Sequence, residues 1–168
     1  NMVYDSRENC NAIIETETNI IIAGCKTTVI PTSIATIGDY AFYNSLWLTS
    51  LVIPNTITTI GNYAFEDCTN LTSITIPNSV TTIGNYSFQD CVGITSVTIP
   101  SSVTKIKYGP FAGCVALSSI IVDKNNTTFD SRENCNAIIE TDTNTLIAGC
   151  KNTIIPNGVT CLQYGAFY

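Results

Sequence analysis

The sequence predicts a mostly β repeat solenoid with parallel strands, short 3₁₀ or helical turns and two β-hairpin insertions. Three observations predict it. First, a unit of 23 residues recurs: "LTSLVIPNTITTIGNYAFEDCTN" from Leu48, "LTSITIPNSVTTIGNYSFQDCVG" from Leu71 and "ITSVTIPSSVTKIKYGPFAGCVA" from Ile94. Pro31, Pro54, Pro77 and Pro100 keep that step, and so do Ile37, Ile60, Ile83 and Ile106, and Phe42, Phe65, Phe88 and Phe111. A fixed period of this size marks an array in which each unit buries its apolar side against its neighbours. Second, 45% of the 168 residues are hydrophobic and only 12% are charged, with Thr, Ile, Val and Tyr in abundance. That composition suits strands better than helices. Third, "CNAIIETETNIIIAGC" from Cys10 returns as "CNAIIETDTNTLIAGC" from Cys135, each a pair of β-rich runs around a Thr- and Asn-rich turn.

The whole chain, residues 1–168, reads as one solenoid. Residues 1–47 and 119–168 are hairpin-bearing expanded repeats, and residues 48–118 are plain repeats. A two-residue loop at Glu17-Thr18 in the first hairpin is expected to set Cys10 opposite Cys25, and the second copy to set Cys135 opposite Cys150. A slip of one residue would turn every side chain to the other face.

Each plain unit opens with L-x-x-L-x-L spacing, as in Leu71-x-x-Ile74-x-Ile76. Its last apolar pair has period two and reads as a short strand, which the following Pro ends because it has no N–H to give. Six such strands are expected, ending near Pro31, Pro54, Pro77, Pro100, Val122 and Pro156, stacked into a parallel sheet. A second apolar pair follows, such as Val80-x-x-Ile83, then Gly38, Gly61 or Gly84 as a turn signal. The unit closes on an aromatic knot, "DYAFYNS", "NYAFEDC" or "NYSFQDC", expected as one helical or 3₁₀ turn with Phe inside and Tyr partly outside.

The step from Pro100 to Pro156 is 56 residues, so one unit is expanded by 33. The first copy of the insert lies 125 residues earlier and stands before Pro31 as the second stands before Pro156. Neither end shows an atypical capping repeat, so a piece of a longer array is expected.

The unit "LTSITIPNSVTTIGNY" with its closing "AFEDC" resembles the BspA-type leucine-rich repeat, over almost the whole chain. The resemblance implies a right-handed leucine-rich-repeat coil on an exported or cell-surface protein of bacteria or protozoa, one that binds other proteins or cells. It implies no chemistry and no catalytic residues.

Charge and composition narrow the function classes. The net charge is −6, and the seven cations are scattered, which disfavours nucleic acid as a partner. No apolar run approaches the ~20 residues of a membrane helix. Histidine is absent, which removes the commonest general base and metal ligand and excludes any Ser-His or Cys-His nucleophile. No cofactor or metal is expected. A zinc site wants four ligands in close pairs, and each hairpin offers two thiols. "DKNNTTFDSREN" from Asp123 lacks the Gly and Glu that a calcium loop needs at its sixth and twelfth places. "DSREN", at Asp5 and again at Asp130, is either a recognition loop or a turn whose Arg pairs with a carboxylate.

The cysteines are read chiefly as packing residues. Cys68, Cys91 and Cys114 recur every 23 residues with Ser45 in the same slot, and Cys161 falls where other units have Thr. Cross-hairpin disulfides, Cys10 with Cys25 and Cys135 with Cys150, stay open as the alternative in an exported protein.

The candidate binding residues are Tyr43 and Trp47, which break the knot pattern, and the outward column Val52, Thr75, Thr98 and Ile121. Trp47 is equally read as covering the edge of the coil. The functional expectation is a non-catalytic surface module that binds a host or neighbouring-cell protein. The alternatives are a passive spacer and a glycan-binding module using Trp47 and the Tyr column.

Overall fold

Each plain unit makes one turn of a coil, and each residue stacks on the one 23 positions later. In this computed structural model residues 4–167 are described. Residues 1–3 and Tyr168, the outer ends of the two expanded units, lie outside the described residues.

The longest ladder runs through the second apolar pair of each unit. Strands β4 (Thr36–Ile37), β5 (Thr59–Ile60), β6 (Thr82–Ile83) and β8 (Lys105–Ile106) pair in parallel, Thr36 with Thr59 with Thr82 with Lys105. Alternation turns Ile37, Ile60 and Ile83 into the core and leaves the threonines half-exposed. The glycine after each of the first three pairs is needed by close approach: a Cβ on Gly84 would lie 2.5 Å from the Gly61 backbone.

The strand expected before each Pro forms in only one place. Strands β7 (Ser96–Ile99) and β9 (Ser119–Val122) pair residue for residue in parallel, whereas the segments ending at Pro31, Pro54, Pro77 and Pro156 are not strands. The reason lies one residue further on. Asp123 N–H donates to the Ile99 carbonyl at 2.9 Å, and Pro77 and Pro100, in the same slot, have no hydrogen to give. We call this side of the coil the proline wall.

The aromatic knots form a third wall, and they are neither helical nor 3₁₀. The backbone N–H groups of Tyr40, Phe42 and Asn44 donate to the carbonyls of Asn62, Ala64 and Glu66 in the next coil at 2.8–3.0 Å, and the pattern repeats at Tyr63 and Tyr86. Tyr40, Asn44, Tyr63, Asp67, Tyr86 and Asp90 have φ between 51° and 60°. The left-handed residues stand four apart in each knot, on either side of the Phe, and every second N–H of the knot points along the coil axis. Phe42, Phe65, Phe88 and Phe111 stack in the core at 5.2, 5.2 and 5.4 Å between ring centres. Such offset pairs add about 0.5–1.5 kcal/mol each beyond burial.

The first hairpin joins the main ladder at its end. Strands β1 (Tyr4–Asp5), β2 (Ala12–Glu15) and β3 (Ile20–Gly24) are antiparallel, and β3 pairs in parallel with β4, Ile21 beside Ile37. The second hairpin repeats this with β10 (Phe129–Asp130), β11 (Ala137–Glu140), β12 (Thr145–Gly149) and β13 (Cys161–Leu162). The expected two-residue loop does not occur. Glu15 pairs with Ile20, Asn19 at φ 54° closes a four-residue loop, and a bulge at Ile13/Ile14 shifts the register. Ala12 therefore faces Gly24, and Cys10 and Cys25 are not opposite each other.

One core runs from Cys10 to Ala148, and a smaller cluster of Cys135, Ala137, Ile139, Leu146 and Ala166 lies under the last unit.

Candidate interaction surface

The proline wall carries the outward column that its spacing predicts. Val52, Thr75, Thr98 and Ile121 are exposed, Val52 at 85%, while Ile53, Ile74, Ile76, Val97, Ile99 and Ile120 between them are buried. Thr98 pairs directly with Ile121. The same slot is filled by exposed Val29 and Ile154 in the flanking units, which lengthens the column beyond the residues singled out from sequence. Beside it a groove of about 350 Å³ is lined by Ser73, Thr75, Asn78, Ser96, Thr98 and Asp123. The neighbouring Thr and Ser column is partly committed to the fold, since Thr72 and Ser118 hydroxyls donate to the Thr49 and Thr95 carbonyls.

Tyr43 and Trp47 do not join that column. Tyr43 is exposed on the aromatic wall, edge-on to Tyr40 at 5.9 Å and 85°. Trp47 is half-buried and packs on the core, so the covering role holds much of its ring. The Tyr column named in the glycan alternative runs beside Tyr43. Tyr40, Tyr63 and Tyr86 stack at 4.9 and 5.4 Å. The column stops at Gly109, where Tyr63, Tyr86, Gln89, Ala112 and Tyr164 line a cleft of about 310 Å³. The sequence signal for that break is "YGPFAG", in which Gly109 and Gly113 take the slots of Tyr86 and Asp90 at φ 52° and 71°.

The thiols are placed for packing. Sγ of Cys68, Cys91 and Cys114 donates to the carbonyls of Phe42, Phe65 and Phe88, each at 3.1 Å. Burial pushes the Cys114 thiol up to about 12, and the neighbouring Cys68 thiol together with burial also raises the Cys91 thiol. All eight cysteines are free thiols. Neither cross-hairpin disulfide is formed: Cys10 and Cys135 turn into the core, while Cys25 and Cys150 bond the Asn11 and Asn136 carbonyls at 3.0 and 3.4 Å on the other side. Hydrogen bonds to Thr27, then to Thr28, hold the exposed Cys25 thiol below the usual range. Cys161 is also exposed.

"DSREN" is a clip. Arg7 donates to both Asp5 carboxylate oxygens and to Asn19 Oδ1 at the hairpin loop, and Arg132 does the same with Asp130 and Asn144. The Arg7 hydrogen bonds hold the Asp5 carboxyl below the ordinary carboxylate range. Among the described residues no cluster of three His, Cys, Asp or Glu can hold a metal, and no helix is long and apolar enough to cross a membrane.

The family model for the BspA type leucine rich repeat region matches residues 23–139 in six copies. The chain belongs to the BspA-type leucine-rich repeat family. Its BspA-type coils are similar to solved bacterial repeat proteins. A leucine-rich repeat protein from Eubacterium ventriosum is 25% identical, with a TM-score of 0.63 over 81% of this chain and 43% of that one. The pneumococcal vaccine antigen PcpA is 17% identical, with a TM-score of 0.67 over 99% of this chain and 36% of that one. A leucine-rich repeat protein from Bacteroides ovatus is 23% identical, with a TM-score of 0.53 over 70% of this chain and 38% of that one. This BspA-type chain thus spans less than half the length of each. No curated protein matches it.

Proposed function

We propose that this chain is a non-catalytic interaction module of a cell-surface or secreted protein, and that its proline wall binds a host or neighbouring-cell protein. One observation carries the reading. β-Branched side chains of Val29, Val52, Thr75, Thr98, Ile121 and Ile154 stand outward in register along one wall, above a fully packed core. Rigid, neutral, small-featured surface of this kind binds by shape and apolar contact, with low entropy cost on the repeat side. Family membership supports surface display, and the absence of histidine from the sequence removes the commonest general base.

The test measures binding of labelled chain to intact cells and to their protease-treated counterparts. Val52→Asp with Ile121→Asp, two exposed positions, is expected to keep the fold and weaken binding at least about ten-fold. Unchanged binding by the folded double variant removes the proline wall, and no binding by the parent chain favours a passive spacer.

The stacked Tyr40, Tyr63 and Tyr86 rings and the cleft at Tyr164 favour a second reading, glycan binding. It predicts glycan-array signal that Tyr86→Ala abolishes and protease treatment of cells does not.

A further inference from the structure

The two hairpins share their sequence and fold, yet one face is bare in the first and covered in the second. Tyr4, Ile13 and Ile22 are 44%, 50% and 39% exposed. Their counterparts 125 residues on, Phe129, Ile138 and Ile147, are 2%, 0% and 3% exposed. The opposite face is buried in both, by Ile14 and Ile21 in one and by Ile139 and Leu146 in the other. The difference therefore comes from what is stacked on the hairpin.

What covers the second face is a plain coil. Phe129, Ile138 and Ile147 join the main core, with β9 packed against β10 and β11. Three polar contacts fix the fit. Ser131 Oγ donates to the Ile120 carbonyl at 3.2 Å, Lys151 N–H to Leu117 at 3.3 Å and Asn152 Nδ2 to Ser118 at 3.2 Å. In the first copy Ser6 holds the place of half-buried Ser131 and stands exposed, and Lys26 holds the place of Lys151. The bare face is an open apolar groove of about 460 Å³.

The joint between coil and hairpin is also repeated in the sequence. Asn126 Oδ1 accepts from the N–H groups of Thr128 and Phe129, while its Nδ2 donates to the Pro100 and Val103 carbonyls of the coil below. Asn1 stands 125 positions before Asn126, with two residues between it and Tyr4 as between Asn126 and Phe129.

We propose that the Tyr4, Ile13 and Ile22 face is the seat of one more plain coil, joined in cis and presenting an L-x-x-I-x-V strand of the Leu117–Val122 kind. Tyr4 in place of Phe129 sets one condition on the fit: the hydroxyl must stay at the edge of the contact. This inference is independent of the proposed partner of the proline wall.

The test fuses a copy of Leu71–Asn125 directly ahead of Asn1, which keeps the 125-residue register. The fusion is expected to raise the thermal midpoint by about 5 °C or more as three large apolar side chains become covered. Ile13→Asp is expected to be tolerated in the parent chain and to lower the midpoint in the fusion, as Ile138→Asp does in both. A fusion carrying Ile120→Asp in the added copy is expected to lose the gain. An unchanged midpoint, or proteolysis that strips the added coils and leaves the rest intact, overturns the proposal. A parent chain that sediments as a dimer, and as a monomer after Ile13→Asp, overturns it too, because the occupant is then a second copy.

Discussion

Cys91 donates its thiol hydrogen to the carbonyl oxygen of Phe65 at 3.1 Å, and Cys114 does the same to Phe88 one coil on. Each thiol thus gives a backbone carbonyl, already bonded by an N–H of its own coil, a second donor while filling a slot that holds only small side chains. Ser45, buried in the same slot, shows that the position takes either atom.

The Cys114 thiol ties stability to alkaline pH. Its folded value of about 12 lies above the ordinary 9.0, so the folded state holds the proton more tightly. The contribution is full below pH 9 and is lost as pH rises from 9 through 12, where the unfolded chain ionises first, by up to about 4 kcal/mol. Urea melts between pH 8 and 11 should show this fall, and Cys114→Ser should lessen it, leaving the share carried by the raised Cys91 thiol. Parallel slopes for the two proteins would rule out the coupling.

Thiol labelling should separate the cysteines by position. In native buffer Cys25 and Cys161 are expected to react first, Cys25 at lower pH because its thiolate is stabilised. Cys68, Cys91 and Cys114 should react only on unfolding. In denaturant without reductant all eight should titrate. A total of four would show that both hairpins are stapled.

Ser87 offers a stabilising change. Its Oγ is fully buried without a hydrogen-bond partner, and the same slot holds Ala41, Ala64 and Pro110 in other coils. Ser87→Ala should gain about 1–3 kcal/mol by removing an unpaired buried hydroxyl. Chemical denaturation reads it directly, and a loss of stability would mean the hydroxyl has a partner in solution.

Asp123→Pro should convert the one zipped stretch of the proline wall into the form of its neighbours. It deletes the 2.9 Å bond to Ile99 and is expected to cost about 1 kcal/mol, with faster amide exchange across β7 and β9. Unaltered exchange would show that side-chain packing alone holds the two strands.

Much of this was legible in the sequence because a 23-residue period aligns like with like. Phe42, Phe65, Phe88 and the paired isoleucines declare themselves as core by recurrence alone. The ladder was misplaced because two-residue strands such as Thr59–Ile60 are too short for periodicity to detect, whereas L-x-x-L-x-L looks like a strand whether or not its neighbour can donate. The hairpin register was missed because a bulge at Ile13/Ile14 leaves no trace in composition. The left-handed tyrosines were invisible at Tyr40, Tyr63 and Tyr86, and the glycines at 109 and 165, in the same slot, betray them. In the candidate surface, alternation placed Val52, Thr75, Thr98 and Ile121 correctly outward, but singularity of sequence was a poor guide to exposure at Trp47.

The prolines give the coil unequal seams. Two of its sides are stitched turn to turn by backbone bonds, while the side bearing Val52 and Thr75 is held mainly by the isoleucines beneath until β7 and β9 zip it at Thr98. The side with fewer backbone bonds between turns is the one expected to open first. Its outward side chains take no part in those bonds, so the wall proposed to meet partners is also one whose surface can be exchanged without undoing a stitch.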